Sequence, residues 1–138
     1  MTLRFLLDTN IMAEPLRPRP DPGVLGQLRR HECEIAIASV VWHEMWFGCR
    51  RLPDSARRSA IEAYLTRVVA PSIPILPYDQ RAADWHAGER ARLAALGKTP
   101  PFADGMIAAV ARAHGLALVT MNLDDFRSFD LPCIDWRE

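Results

Sequence analysis

The stretch "TPPFADGMIAAVARAHGLALVT", residues 99–120, decides how this chain folds. Its two prolines stand where a helix can begin, because the first helical turn has no use for N–H donors. Gly115 stands where that helix should stop. Between them Ile107, Ala108 and Ala111 follow Asp104 at helical spacing, so one face is small and apolar and suits close packing against a sheet. "LALVT" is then a short, nearly all-apolar run, which reads as a strand buried on both faces. A helix leading straight into a buried strand is the crossover that parallel strands require.

The same alternation extends in both directions. "LRFLL" (3–7) is a buried first strand that stops at Asp8, and "NIMAEPL" begins a short helix broken near Pro15. "RPRPDPG" (17–23) is a proline-rich loop in which Asp21 caps a helix with Pro22 in its first turn and Val24, Leu25 and Leu28 on its inner face. "EIAIAS" (34–39) is a second strand, and Ser39 caps the helix "SVVWHEMWFG", which ends near residues 48–51. Residues 54–70 form an amphipathic helix with the stripe Ala56, Ala60, Ile61, Tyr64, Leu65 and Val68. "SIPILPY" (72–78) is a strand pushed to the sheet edge by Pro74. Asp79 caps a long alanine-rich helix that runs to Gly97, and "PCIDW" (132–136) is a last strand. The pattern predicts an α/β fold, a parallel β-sheet flanked by helices on both faces, in one domain over residues 1–138. There are no repeats and no low-complexity segments.

Composition narrows the function. The chain has 138 residues, 49% hydrophobic and 25% charged, with a formal net charge of zero. No global charge excess points to nucleic acid or membrane, so any nucleic-acid site is local. Cys33, Cys49 and Cys133 are widely spaced and read as free thiols in a reducing compartment. No apolar run approaches membrane-spanning length, and the expected location is cytoplasmic. His31, His43, His86 and His114 have no metal spacing and read as surface or partly packed side chains.

Acids in the wrong places carry the chemistry. Val40, Val41, Glu44, Met45 and Gly48 share one helical face, so Glu44 stands among residues that should pack inward. Asp104 repeats the anomaly, although in a first turn it also suits the helix dipole. Asp8 ends the first strand, where its alternative use is a helix N-cap. "TMNLDDF" (120–126) adds Thr120, Asn122, Asp124 and Asp125 after another strand, a pattern that a capped turn also explains. In open parallel sheets, function gathers at the carboxyl ends of strands. Carboxylates brought together there repel one another unless some protonate or a cation intervenes. An all-oxygen donor set favours Mg²⁺ or Mn²⁺ over Zn²⁺.

These motifs resemble a known family. "LLDTN", "SVVWHEMWFG" and "ADGMIAAVARAHGLALVTMNLDDF" are similar, in order and nearly end to end, to the motifs of PIN-domain toxins of the VapC or FitB-like type, from type II toxin–antitoxin pairs. The resemblance implies a PIN-like fold and a Mg²⁺- or Mn²⁺-dependent endoribonuclease that hydrolyses RNA through a metal-activated water. It implies Asp8, Glu44 and Asp104 as metal-tied acids, with Asn122 at the family's variable fourth position and Asp125 as a further catalytic candidate. Asn10 and Thr120 are expected to hold these groups by hydrogen bonds. It also implies a small cognate antitoxin, an RNA substrate, a homodimer and a toxin–antitoxin hetero-oligomer. Trp42 and Trp46, four apart on one helix, are candidates for an antitoxin groove, with ordinary core packing as their other reading. The competing functions are a catalytically weak module that binds RNA or a partner, and a metal-dependent DNA nuclease.

Overall fold

A computed structural model describes residues 2–137. The chain runs β1 (Phe5–Leu7), α1 (Thr9–Ala13), a 3₁₀ turn (Glu14–Leu16), α2 (Pro22–Arg30), β2 (Ile35–Ala38), α3 (Ser39–Arg50) and α4 (Ala56–Tyr64). A π-helical turn (Leu65–Val69), α5 (Ala70–Ser72), β3 (Ile75–Leu76), α6 (Gln80–Ala95), α7 (Phe102–Ala113), β4 (Ala117–Val119), α8 (Leu123–Phe126) and β5 (Cys133–Ile134) complete it. The strands form one sheet in the order β3-β2-β1-β4-β5. Every pairing is parallel, with Phe5 opposite both Ile35 and Ala117. β1 is central, and its flanking connections leave in opposite directions, which makes the β1–β4 boundary the topological switch point.

Local chemistry explains most boundaries. Asp8, Asp21, Ser55 and Asp79 each cap the helix that follows by accepting a backbone N–H. Gly97 and Gly115 follow α6 and α7 with φ of 75° and 65°, a left-handed conformation that glycine adopts without penalty. β3 is an edge strand, as Pro74 requires. The all-apolar β1 and β2 are buried throughout, and helices α1, α3 and α7 pack with them into one core.

Four expectations need correction. Ser39 is the first residue of α3 rather than its cap, and Ala38, at the cap position, provides no side-chain bond. The helix after Ser55 does not keep a regular stripe to residue 70. The π turn adds a residue to one turn of the ladder and rotates everything after it. Val69 is therefore fully buried, whereas Val68, expected inside, is 51% exposed. Ala56 and Ala60 are exposed. Finally, His86 is a core residue, 4% exposed, in the inward row Ala82, His86, Glu89, Leu93 of α6.

Two further buried acids are structural. Glu14 accepts the Asp21 N–H at 2.7 Å and pairs with Arg17, which pins the proline-rich loop. Glu89 is gripped by Arg92 at 2.7 and 2.8 Å and accepts the Asp130 N–H. The Arg92 hydrogen bond holds Glu89 below the usual carboxylate range.

Candidate metal and active site

The strand β1 delivers Asp8 to the carboxyl edge of the sheet. The Asp8 N–H still donates to Val119 O at 2.9 Å, so β1 and β4 remain paired up to that point. Its side chain then turns. Oδ1 accepts the Thr9 N–H at 2.8 Å and caps α1, while Oδ2 accepts the Thr120 hydroxyl at 2.8 Å. The N-cap is therefore real, and it occupies only one of the two oxygens. Thr120 also accepts the Asn122 N–H at 3.0 Å, and Asn10 Oδ1 accepts the Met121 N–H at 3.3 Å. These bonds tie the turn after β4 to the turn after β1.

Three more acids come from separate helices. Glu44 is half-buried on α3, and Asp104 is half-buried in the first turn of α7. Asp125, on α8, is exposed. Burial and then the nearby charges of Asp8, Asp125 and Glu44 push the Asp104 carboxyl up to about 6. Burial also raises Glu44, with Asp8 adding to the effect and exposed His43 opposing it. Asp8 is raised by burial and by Asp125 despite the opposing bonds from Thr120 and Thr9. The four carboxylates thus lie in one electrostatic field.

Among the described residues no three His, Cys, Asp or Glu side chains already close on a single point as a metal cage. The chemistry of the set nevertheless fits a hard divalent cation. Its donors are carboxylate oxygens, and burial and neighbouring acids disfavour the charged forms of Asp8, Glu44 and Asp104, a conflict that a cation relieves. The fit rests on Asp8, Glu44, Asp104 and Asp125. Asn122 lies at the cap position of α8, is exposed, and makes no side-chain capping bond. Asp124 turns outward to Arg127 at 3.0 Å. Of the polar cluster after β4, Asp125 is therefore the carboxylate that joins the field.

Depressions flank the acids. A cleft of about 540 Å³ is lined by Lys98, Thr99, Asp125, Arg127 and Ser128. A more apolar groove of about 720 Å³ is lined by Thr9, Ala13, Leu16, Glu44, Met45 and Ile61, among others. The lining of this groove does not include Trp42 or Trp46. Those rings meet edge to face at 5.9 Å, pack partly against the core, and lie roughly 160° around α3 from Glu44, at 100° per residue. The expected tryptophan groove wall is thus on the other flank of the helix. One residue escaped the sequence reading: the buried Thr9 hydroxyl has no hydrogen-bond partner among the described residues. Only its place after Asp8 could have flagged it.

The motif order, the switch-point placement and the acid field can be set against known proteins. The family model "PIN domain" matches residues 5–131. This chain belongs to the PIN-domain family. Among its relatives, Toxin FitB of Neisseria gonorrhoeae is 31% identical, covering 97% of this chain and 99% of that protein. The tRNA(fMet)-specific endonuclease VapC of Shigella flexneri is 35% identical, covering 97% of this chain and 98% of that protein. Among solved structures, FitAcB from Neisseria gonorrhoeae superposes with a TM-score of 0.87 at 30% identity, over 94% of this chain and 96% of that one. The PIN domain thus carries its acids here at the carboxyl end of β1 and on the three helices α3, α7 and α8. No helix among the described residues is long and apolar enough to cross a membrane.

Proposed function

We propose that this PIN domain is a divalent-metal-dependent endoribonuclease and the toxin of a toxin–antitoxin pair. The observation that carries the reading is the shared field of Asp8, Glu44, Asp104 and Asp125 at the switch point of a parallel sheet. Relatives named as a toxin and as an RNA endonuclease support it over nearly the whole chain.

Asp8, Glu44 and Asp104 would hold Mg²⁺ or Mn²⁺, with Asp125 as the fourth charge. The bound ion supplies a Lewis acid that activates water and offsets charge on the scissile phosphate. The chain does the rest. Thr120 favours the ionised form of Asp8 and orients its Oδ2, and Asn10 ties the turn after β4 to the turn after β1. Lys98 makes no ion pair among the described residues and lines the cleft that Asp125 shares, where it would attract the RNA backbone. The groove beside Glu44 is the surface best suited to a small antitoxin, because its apolar floor runs up to the acids. A homodimer is the expected unit.

The test incubates the purified chain, freed of any antitoxin, with RNA and with DNA, each with Mg²⁺ and with EDTA. RNA cleavage that needs the metal supports the proposal. Metal-dependent cleavage of DNA alone indicates a DNA nuclease, and RNA binding without cleavage indicates a binding module.

A further inference from the structure

Asp8 is held by two hydrogen bonds, but no hydrogen bond or ion pair among the described residues holds the Asp104 side chain. The place of its carboxylate is set by the backbone of α7. What sets α7 is its packing on α6, the most extensive helix–helix contact in the fold.

At that contact lies a close-fitting pair. The His86 ring is fixed on one side by Tyr78, whose hydroxyl is 2.8 Å from Nδ1. Its centroid lies 4.9 Å from that of Phe102, the first residue of α7. Its Nε2 presses on Gly105. A Cβ at Gly105 would overlap Nε2 and stand 2.9 Å from Cδ2 and 3.0 Å from Cε1. At Gly26, Gly48 and Gly88 an added Cβ would meet nothing within 4 Å. Gly105 has no positive φ, so left-handed backbone does not explain it. It costs the helix about 1 kcal/mol relative to alanine. Glycine is present because the imidazole fills the volume of a side chain.

Phe102 and Gly105 are three apart, so they share the α6 face of α7, and Asp104 lies between them in sequence. The ring therefore grips the turn that carries Asp104.

We propose that His86 is a positioning residue for Asp104: anchored by Tyr78 and seated on Gly105, it sets the depth and rotation of the first turn of α7 and so places the Asp104 carboxylate for the divalent ion. This rests on Asp104 being a ligand of that ion.

The test is Mn²⁺ affinity of metal-free protein, measured by calorimetry for wild type, Asp104→Asn, Gly105→Ala, His86→Ala and the double variant, with folding checked by circular dichroism. A residue that only supports the fold would lower Tm and leave Mn²⁺ affinity of the folded protein unchanged. Gly105→Ala is expected to weaken Mn²⁺ binding roughly 10–100-fold, the usual cost of disturbing a ligand's support. In the His86→Ala background the same substitution should cost much less, because the clash is gone. Wild-type Mn²⁺ affinity in folded Gly105→Ala, or an equal penalty with and without His86, overturns the proposal. If Gly105→Ala does not fold, His86→Ala decides: weakened Mn²⁺ binding supports it and unchanged binding overturns it. If Asp104→Asn binds Mn²⁺ like wild type, the ligand reading fails and the proposal falls with it. If Asp104→Asn loses binding while the others keep it, only the positioning role is wrong.

Discussion

The Thr120 hydroxyl donates a 2.8 Å hydrogen bond to Asp8 Oδ2, joining residues 112 apart in sequence. Both sit at the carboxyl ends of adjacent parallel strands, and Thr120 is fully buried. The bond favours the ionised form of Asp8 against the burial that disfavours it. Thr120→Val keeps the shape and deletes the donor. The Asp8 carboxyl should then rise further, and a charge-assisted bond of about 1.5–3 kcal/mol is lost. Cleavage should fall at least tenfold, on the order expected for losing a partner of a metal ligand. Steady-state rates together with a melting curve check this, because the variant must be folded for the rate to count.

Asp104 predicts an unusual dependence of stability on pH. Burial, then Asp8, Asp125 and Glu44, raise its carboxyl from 3.8 to about 6 in the folded protein. Between those values the folded state binds more protons than the unfolded chain. The stability it contributes is therefore complete below 3.8 and lost as the pH rises through about 6. Asp104→Asn removes this loss. Metal-free Asp104→Asn should melt a few degrees above metal-free wild type at about pH 8, with the gap closing towards acid. The side chain is half-exposed, so solvent screening leaves on the order of 1 kcal/mol. Paired melts across pH without metal test it, and cleavage by the variant should be abolished.

The π turn separates two adjacent valines. Val69→Ala should cost roughly 2 kcal/mol, for two buried carbons and the void they leave. Val68→Ala, at an exposed position, should stay within about 0.5 kcal/mol of wild type. Denaturant unfolding of the two variants gives the comparison. A larger cost at Val68 than at Val69 would mean that the regular stripe, with Val68 inside, is the true register.

Apolar strand runs, caps and glycine stops exposed most of the fold in the sequence, because Asp21, Asp79 and Gly115 act within a few residues of where they stand. The π turn was not read, because apolar spacing alone does not show the extra residue that brings Val69 rather than Val68 into the core beside Leu65. The candidate acids could be read because Glu44 and Asp104 break the helical pattern around them. Which acid after β4 joins them could not be, as Asp124 and Asp125 differ only in the way a short helix turns them, one to Arg127 and one to the acid field. His86 was invisible for the same reason: a lone histidine shows neither its burial nor the missing Cβ of Gly105 opposite it. Four-residue spacing shows that Trp42 and Trp46 are neighbours, and their rings do meet, but it does not say what covers that flank of α3.

The nature of the cut ends separates the two chemistries that can break the RNA chain. An acid site that activates water through a divalent ion breaks the bond to the 3′-oxygen, whereas attack by the RNA's own 2′-hydroxyl needs a general base such as histidine and leaves a cyclic phosphate. His86 is buried, and His43, whose charge reaches Glu44, is exposed on α3. End-group analysis of RNA cut by wild type and by His43→Ala, with Mg²⁺ or with EDTA, should give 5′-phosphate and 3′-hydroxyl ends from both proteins and no cleavage in EDTA. Cyclic phosphate ends, or undiminished cleavage in EDTA, would contradict the account even though the PIN fold stands.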